Sequence, residues 1–522
     1  MKKSAASLIS ALLLAGGTLT VKAGSPGIVV GIVVDQLRTD YLEQLRPYFG
    51  DKGFNRLITE GVYIPDVDFH NSVKDAPSGA AVVYTGAWPS FNGVVSAEIL
   101  DRNQLLKIPV LTSGSGRSRE YSPENIRLST LADEFAVSNG KLSKIYSVSS
   151  DPQVSVVTAG HAGNSAIAPD MLTGRWASPS YYGSLPPAVA NKNHTSPLSS
   201  RLAGASWRPL HPASYYDGAN WTGDFNYGFG ASGRDGYARY IESAPFNSEI
   251  TEIALDLIKT AQTGTTGQPG MINIEYSLAP YSFDSDDDGR AELVDSYMRL
   301  DAELARLFEA IDKSYGIDNA VIFLSSTGYA AEPALPEAAA RIPEGEVSLK
   351  KAESLLNAYL SATHGNGDYV AIIDNGKLYL DAKEIERKGI DISKIRSEAK
   401  LFLLRMEGVS YVLSLEDILS SGSERARELS LTLDYKNQPD LFLFFTPGWT
   451  VTDDNAYPVT SEKIRLSAPS TPAFILAPDI ESQRVESAVD ATVLAPTVSS
   501  ILRIRAPNGA SAKPLNLKTK NR

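Results

Sequence analysis

The feature of this sequence that most restricts its fold is an uninterrupted apolar run, GIVVGIVV at residues 27–34, which ends in Asp35. A β-branched run without polar alternation is typical of a strand that is buried on both faces of a parallel sheet. Comparable runs and segments of helical periodicity alternate further along the chain: strands at 144–148, 271–276, 320–324, 441–445 and 473–476, and helices at 250–260, 293–311 and 491–502. This alternation predicts an α/β fold with a central, mostly parallel sheet between helices.

The N-terminus has the pattern of a secretory signal peptide. Lys2 and Lys3 precede the apolar run at 11–15, and small residues lead to a cleavage point after Ala23. The run is much shorter than the roughly 20 residues of a membrane-spanning helix. We therefore expect residues 1–23 to be removed, and the mature protein to be periplasmic or secreted without a transmembrane segment.

The composition excludes several classes of function. A net charge of -12 argues against nucleic-acid binding, which needs clustered Lys and Arg. The absence of cysteine excludes disulfides, thiolate metal sites and a cysteine nucleophile. Five histidines leave few imidazoles for a site with several metal ions.

Two segments interrupt the α/β pattern and predict insertions in one large domain at 24–510. Between about 101 and 243 the sequence is rich in Tyr, Trp, Gly, Ser and Pro, which indicates an inserted cap. A second, smaller insertion at about 332–438 contains Asp374-Asn375-Gly376, a type I′ hairpin signal. Residues 511–522 are predicted to be a flexible tail.

Several segments together resemble the alkaline phosphatase superfamily. The resemblance is closest to the phosphate-irrepressible alkaline phosphatases of Bacteroidetes-type bacteria and to the type I phosphodiesterase/nucleotide pyrophosphatases. The matching segments lie at 31–41, 53–57, 84–93, 158–161, 243–246, 295–301 and 377–380. The resemblance therefore spans nearly the whole predicted mature chain and implies that fold.

The resemblance also implies a chemistry, in which two zinc ions activate a Thr or Ser nucleophile and stabilise the leaving oxygen. Asp35 matches the first zinc ligand. The nucleophile position falls on Asp75 or Ala76, depending on which neighbouring motif anchors the match, and Ser78 would serve only after a local shift.

Most other positions of the implied site carry residues without the required chemistry. The substitutions are Ala279, Phe283, Thr327 and Gly328 at ligand positions, Ser461 near the last ligand, Asp151 and Gln153 at the phosphate-gripping Lys and Arg, and Ala97 at a phosphate-binding Asn. One remaining acid cannot hold two zinc ions, and loss of the cations removes the electrostatic stabilisation of phosphoryl transfer.

These substitutions lead to two alternative functions. The main prediction is a pseudoenzyme, an exported homologue that binds an unidentified envelope ligand or protein and has no zinc or other assigned cofactor. The alternative is a phosphate or sulfate ester hydrolase with a remodelled metal-dependent site around Asp35, Asp75 and Ser78.

An acidic segment suggests a separate cation site. Asp284, Asp286 and Asp288, followed by Gly289 and by Asp295 at the twelfth position, fit a calcium loop. The other interpretation is a solvated acidic loop before the helix predicted at 293–311.

The histidines and the aromatic residues of the cap also have two interpretations each. His70, His161, His194, His211 and His364 lack the spacing of metal ligands and are predicted to be hydrogen-bonded structural residues. The cap tryptophans, which are Trp176, Trp207 and Trp221, either form a binding surface or pack the interior of the insertion.

Overall fold

The structure is a computed structural model. It describes residues 26–70, 75–102, 104–202, 204–216, 224–230, 233–262, 269–278, 290–330, 344–434, 437–456, 459–465 and 468–520. The predicted signal peptide therefore lies outside the described residues. No helix within these ranges is both long enough and apolar enough to cross a membrane.

The strands in chain order are β1 (Ile28–Asp35), β2 (Val62–Asp68), β3 (Glu98–Asp101), β4 (Leu106–Pro109), β5 (Thr112–Ser113), β6 (Glu120–Tyr121), β7 (Ile145–Val148), β8 (Ser165–Asp170), β9 (Arg175–Ala177), β10 (Ser206–Trp207), β11 (Tyr227–Gly228), β12 (Gly270–Ser277), β13 (Ala320–Ser326), β14 (Glu346–Ser348), β15 (Val370–Asp374), β16 (Lys377–Leu380), β17 (Val409–Leu413), β18 (Leu441–Phe445), β19 (Thr450–Asp453), β20 (Thr460–Lys463), β21 (Thr471–Leu476), β22 (Gln483–Arg484) and β23 (Val489–Asp490).

The α-helices are α1 (Thr39–Leu45), α2 (Phe54–Glu60), α3 (Ala76–Thr85), α4 (Pro89–Asn92), α5 (Leu131–Ser138), α6 (Pro152–Ala159), α7 (Pro187–Thr195), α8 (Leu198–Leu202), α9 (Arg234–Ile241), α10 (Phe246–Gln262), α11 (Arg290–Tyr315), α12 (Leu349–His364), α13 (Ala382–Arg387), α14 (Ile392–Leu403), α15 (Leu415–Ser420), α16 (Glu424–Ser430) and α17 (Leu494–Leu502).

A ten-stranded sheet forms the centre of the protein, in the order β22-β2-β21-β13-β1-β12-β7-β8-β9, with β23 also paired to β2. β1 pairs in parallel with β12 on one side and with β13 on the other. β7 and β8 continue the parallel part of the sheet, whereas β21 runs antiparallel to β13 and to β2. The predicted α/β fold with a mostly parallel central sheet is confirmed.

Alternate side chains of β1 enter two separate hydrophobic cores. Ile28, Val30, Ile32 and Val34 pack on the face covered by α10 and α11. Val29 and Val33 pack on the opposite face, together with side chains of α3, α5 and α6. This two-sided burial is the reason that the sequence of β1 lacks polar alternation.

Residue 31, in the middle of the apolar run, is a glycine because the phenol of Tyr84 occupies the space above it. A Cβ atom at residue 31 would lie 2.3 Å from the Tyr84 hydroxyl oxygen and 2.5 Å from the Phe323 ring. The Tyr84 hydroxyl itself donates to Asn273 Oδ1 at 2.9 Å, so the ring is not free to move away. A glycine is therefore required by close packing at this point of the central strand.

The predicted cap includes part of the central sheet. β7, β8 and β9 lie within 101–243, and all three belong to the ten-stranded sheet. The boundaries predicted for a single inserted cap are therefore wrong, because short core strands alternate here with the irregular aromatic segments.

A second module, residues 344–465, carries its own small sheet in the order β15-β16-β18-β17. The predicted hairpin is confirmed, since β15 and β16 are antiparallel and Asn375 and Gly376 have φ values of 45° and 72°. β18 was expected among the strands of the central sheet, but it pairs with β16 and β17 instead. The module also extends past the predicted end at 438, because β19 pairs with β14 and β20 pairs with β19.

The end of the chain is packed rather than free. The Leu515 backbone N–H donates to Thr497 Oγ1 at 2.9 Å, and the Glu481 N–H donates to the Lys518 carbonyl at 3.0 Å. Leu515 and Leu517 pack against the core face that contains Val29. The prediction of a flexible tail is wrong for residues 511–520, because these contacts anchor the segment.

We expect Gly31→Ala to lower the free energy of unfolding by about 1–3 kcal/mol, because the added methyl group overpacks the contact between β1 and Tyr84. Urea unfolding of the wild type and the variant measures this difference. Gly422→Ala is the matched control, since a Cβ atom there meets no atom within 4 Å. An equal effect of the two substitutions would contradict the packing explanation.

Candidate functional site

The edge of the central sheet at which the parallel strands end carries four acidic side chains. Asp35 ends β1, and Glu275 lies near the end of the neighbouring strand β12. Asp151 follows β7 and begins α6, while Asp75 begins α3. In open α/β sheets this edge is where ligands bind, so we treat it as the candidate functional site.

Asp35 is held by the residue after β13. Thr327 Oγ1 donates to Asp35 Oδ1 at 2.7 Å, and Gln36 Nε2 lies 3.5 Å from the other carboxylate oxygen. Burial, together with the negative charges of Glu275 and Asp151, raises the pKa of Asp35 to about 7. The one zinc-ligand position that kept its acid is therefore a carboxyl group that readily holds a proton near neutral pH.

Asp75 acts as the N-cap of α3. Its Oδ1 atom accepts hydrogen bonds from the Ser78 backbone N–H at 2.9 Å and from the Ser78 hydroxyl at 2.7 Å. Only 1% of Ser78 is exposed, and its hydroxyl faces back toward the start of the helix. The structure thus brings the two predicted catalytic residues together, but in the arrangement of a helix cap.

Asp151 and Glu275 are the other two acids at this edge of the sheet. Asp151 caps α6 by accepting from the Gln153 backbone N–H at 2.7 Å, and burial raises the pKa of Asp151 to about 7. Glu275 Oε2 accepts from the hydroxyl groups of Ser149 and Ser150, at 2.9 and 2.8 Å, and from the Ser150 N–H at 2.8 Å. Burial also raises the pKa of Glu275.

Glu275 is the one of these four acids that was not predicted from the sequence. It is 2% exposed and pairs with Val33 in the centre of the sheet. An acid inside an otherwise apolar strand is a signal that could have identified it, because buried carboxylates need dedicated donors.

Ala97 connects three positions of the implied site. Its backbone N–H donates to Asp75 Oδ2 at 2.9 Å, and its carbonyl accepts from Gln153 Nε2 at 3.0 Å. The Leu111 N–H in turn donates to Gln153 Oε1 at 3.1 Å. We call these four residues the Ala97 clamp. At the positions where the resemblance implies a nucleophile and a phosphate-gripping cation, this chain has side chains that bond to the backbone of Ala97, which itself occupies the position of a phosphate-binding amide.

The residues present do not fit two zinc ions. Thr327 bonds to Asp35, and Gly328 has φ +87° with Phe69 packed so closely that a Cβ atom would lie 2.1 Å from the ring. An imidazole therefore has no room at residue 328.

The remaining ligand positions give the same result. Ser461 lies in β20, where its hydroxyl pairs with Thr452 Oγ1 at 3.0 Å. Ala279 and Phe283 lie outside the described residues, and neither side chain contains a ligand atom. Within the described ranges, no three His, Asp or Glu side chains are grouped so as to hold a metal ion.

The predicted calcium loop is only partly covered. Asp284, Asp286 and Asp288 lie outside the described residues. Asp295 belongs to α11 and is 2% exposed, with its Oδ2 atom accepting from Trp207 Nε1 and Arg299 Nε, each at 2.6 Å. Its other oxygen accepts from the Leu210 N–H. Protein donors contact both oxygen atoms of Asp295, which gives this residue a structural role, and the calcium loop stays a prediction.

Four of the five histidines have clear structural partners. His161 Nδ1 lies 3.0 Å from Asp133 Oδ2, and its Nε2 lies 3.1 Å from the Ile126 carbonyl oxygen. His70 lies between Asp68 and Asp490, and His364 contacts Glu398. His211 stacks on Tyr215 with the ring centres 4.2 Å apart. Trp176 and Trp207 are 3% and 0% exposed, which favours packing over a binding surface for these two, while Trp221 lies outside the described residues.

The Ala97 clamp predicts an unusually costly helix cap at Asp75. We expect Asp75→Ala to lower the free energy of unfolding by more than the roughly 1 kcal/mol of an ordinary cap, because it also removes the acceptor of the Ala97 N–H. Asp381→Ala is the matched control, since Asp381 caps α13 through the single N–H of Glu384. Chemical denaturation of both variants gives the comparison. Equal losses would show that the contact with Ala97 contributes nothing.

The buried acids predict that stability depends on pH. Between about pH 4 and pH 7 the folded chain retains a proton on Asp151 that the unfolded chain releases, since the pKa is raised in the folded state. The free energy of unfolding therefore falls as the pH rises through this window, by up to about 1.4 kcal/mol for each pH unit. We expect Asp151→Asn to flatten this dependence in urea unfolding at pH 5, 6, 7 and 8.

Asp391→Asn is the control for this series. Asp391 is an exposed N-cap that, like Asp151, accepts from the N–H two residues later. If the control flattened the profile as much as Asp151→Asn, burial would not be its cause.

Comparison with known proteins identifies relatives along nearly the whole chain. The alkaline phosphatase PafA of Elizabethkingia meningoseptica is 26% identical over 528 residues, covering 96% of each chain. The alkaline phosphatase PhoV of Synechococcus elongatus is 25% identical over 521 residues, covering 94% of this chain and 92% of PhoV. The crystal structure of wild-type PafA superposes with a TM-score of 0.81 at 24% identity and covers 94% of this chain and 98% of PafA, which shows that the fold is shared.

The family match covers most of the described sheet and both of its cores. Residues 29–469 match the family described as type I phosphodiesterase / nucleotide pyrophosphatase. The predicted relationship to the alkaline phosphatase superfamily is confirmed, and the chain belongs to the type I phosphodiesterase / nucleotide pyrophosphatase family.

Proposed function

We propose that this protein is a family member that binds a ligand or partner and does not hydrolyse phosphate esters by the two-zinc reaction. The Ala97 clamp is the observation that carries this proposal. Asp75 and Gln153 use their side-chain oxygen and nitrogen atoms to hold backbone groups of Ala97 and Leu111. Groups engaged in this way are not available to attack or to grip a phosphate.

The electrostatics of the site support the same conclusion. Phosphoryl transfer is catalysed mainly by positive groups that stabilise charge on the transferred phosphate. Four carboxyl groups lie at this edge instead, and the pKa values of Asp35, Asp151 and Glu275 are all raised by burial. As the pH rises these groups ionise, so a phosphate dianion meets increasing repulsion at the site.

The surroundings of the Ser78 hydroxyl also do not activate it as a nucleophile. The Ser78 hydroxyl donates to the Asp75 carboxylate. In other proteins a nucleophilic hydroxyl is activated by an imidazole, which is a much stronger base than a carboxylate, or by a metal ion. Export to the periplasm or the exterior, and an envelope ligand or protein as the partner, are the further parts of this proposal. They rest on the N-terminal pattern of the sequence.

A second candidate is a hydrolase of phosphate or sulfate esters with a remodelled metal-dependent site. The comparisons favour this alternative over a pseudoenzyme, because the family is one of phosphodiesterases and the two relatives described above are alkaline phosphatases. Asp35 remains at the end of β1, where such a site would need an acid. Shared ancestry establishes the fold, whereas the residues of the site decide the chemistry.

An assay of purified protein separates the two candidates. Aryl phosphate monoesters, aryl phosphate diesters and aryl sulfates are incubated with the wild type and with Asp35→Asn in the presence of zinc, magnesium or calcium. We expect no turnover by the wild type above that of the variant, and fewer than two zinc ions per chain by elemental analysis. Turnover that Asp35→Asn abolishes would establish the hydrolase instead.

One matched substitution and a measurement of folding are the controls in this assay. Asp391→Asn changes an exposed acid far along the chain in the second module, so it must behave as the wild type. Circular dichroism of each variant confirms that the chain is folded before activity is compared.

A further inference from the structure

Two helices of the second module form a continuous layer on one face of its small sheet. Leu356 and Leu360 of α12 are buried in the same cluster as Ile395 and Leu403 of α14, together with side chains of β15, β16 and β18. The helices contact each other directly, since the rings of Tyr359 and Phe402 stack with their centres 4.9 Å apart. The opposite sides of both helices therefore face away from the sheet.

The side of this layer that faces away from the sheet is unusually apolar. Leu355 and Tyr359 lie one turn apart on α12 and are 45% and 38% exposed. Leu401 and Leu404, at the end of α14, are 61% and 40% exposed. We call these four residues the outer helix face. Single exposed apolar residues are common, but neighbouring groups of them indicate an interaction surface.

Three basic residues lie beside the outer helix face, and the exposed acids near them in sequence are Asp391 and Glu407. Lys351 lies one turn before Leu355, Lys394 lies two turns before Leu401, and Arg405 follows Leu404. All three are exposed, and none has an ion-pair partner among the residues that the structure describes. This is notable in a chain whose net charge is -12.

The acids of the two helices are engaged elsewhere. Glu353 accepts from the Ile373 N–H at 3.1 Å and from Asn455 Nδ2 at 3.0 Å. Glu398 contacts His364. Within α12 and α14 themselves no free acid therefore faces the three cations, which lie within two turns of the exposed leucines in sequence.

We propose that the outer helix face binds to the surface of a membrane that contains anionic lipid. Leucine and tyrosine side chains on adjacent helices suit the boundary between headgroups and acyl chains. Lys and Arg beside them are attracted to anionic headgroups, and the attraction weakens as salt is added. This surface lies on the second module and is separate from the four acids at the edge of the central sheet, so the inference goes beyond the proposed function.

Flotation with lipid vesicles tests this inference. The chain from residue 24 onward is used, so that the apolar run at 11–15 cannot insert. The vesicles contain phosphatidylcholine alone or phosphatidylcholine with about one third phosphatidylglycerol. We expect binding to the anionic vesicles, weaker binding to the neutral ones, and release of the protein by added sodium chloride.

Paired variants identify the surface. Lys351→Gln, Lys394→Gln and Arg405→Gln should each weaken binding to anionic vesicles about fivefold. Leu401→Ser should weaken binding to both kinds of vesicle. The controls are Lys141→Gln, at an exposed cation elsewhere, and Leu172→Ser, at a leucine that is 80% exposed. Melting temperatures equal to that of the wild type show that all these surface variants fold.

Three results would overturn the inference. The first is absence of binding to the anionic vesicles, and the second is an equal loss of binding in the controls. The third is self-association in analytical ultracentrifugation that Leu401→Ser abolishes, without vesicle binding, because the outer helix face would then be an interface between copies of the chain.

Discussion

The two-sided burial of β1 is the constraint on which the rest of the structure depends. Its backbone pairs in parallel with β12 and with β13, and its alternate side chains supply both hydrophobic cores. A strand in this position has no freedom of register, because a slip of one residue would exchange the contents of the two cores. The same register places Asp35 beside Ser277 and next to Thr327, at the edge where the parallel strands end.

The four acids at that edge show how local structure can hold carboxyl groups where parallel strands end. The acids are kept by hydrogen bonds that each local element supplies: helix caps for Asp75 and Asp151, and serine donors for Glu275. These bonds compensate part of the cost of burial, which is otherwise high for a carboxylate without a cation. The remaining cost appears as the raised pKa values of Asp35 and Asp151.

Much of the fold could be predicted from the sequence, because strands buried on both faces and amphipathic helices have distinct patterns. β1, β12, β13 and the hairpin of β15 and β16 were all visible in this way. The membership of β18 and the extent of the cap were not, since a short apolar run looks the same in either sheet. The end of the chain was misjudged for a related reason: segment 511–520 packs through backbone bonds and two isolated leucines, Leu515 and Leu517, which form no periodic pattern.

The candidate site, like the fold, could be predicted from the sequence only in part. The sequence by itself determined the family, and it predicted an acid at Asp35 and no imidazoles or cations at the other matched positions, because both are matters of residue identity. Only the tertiary structure decided that Asp75, Ala97 and Gln153 bond to one another and that Glu275 faces the same edge. The reason is physical: hydrogen bonds between residues 22 and 56 positions apart depend on how helices and loops pack around the sheet, which residue identities do not show.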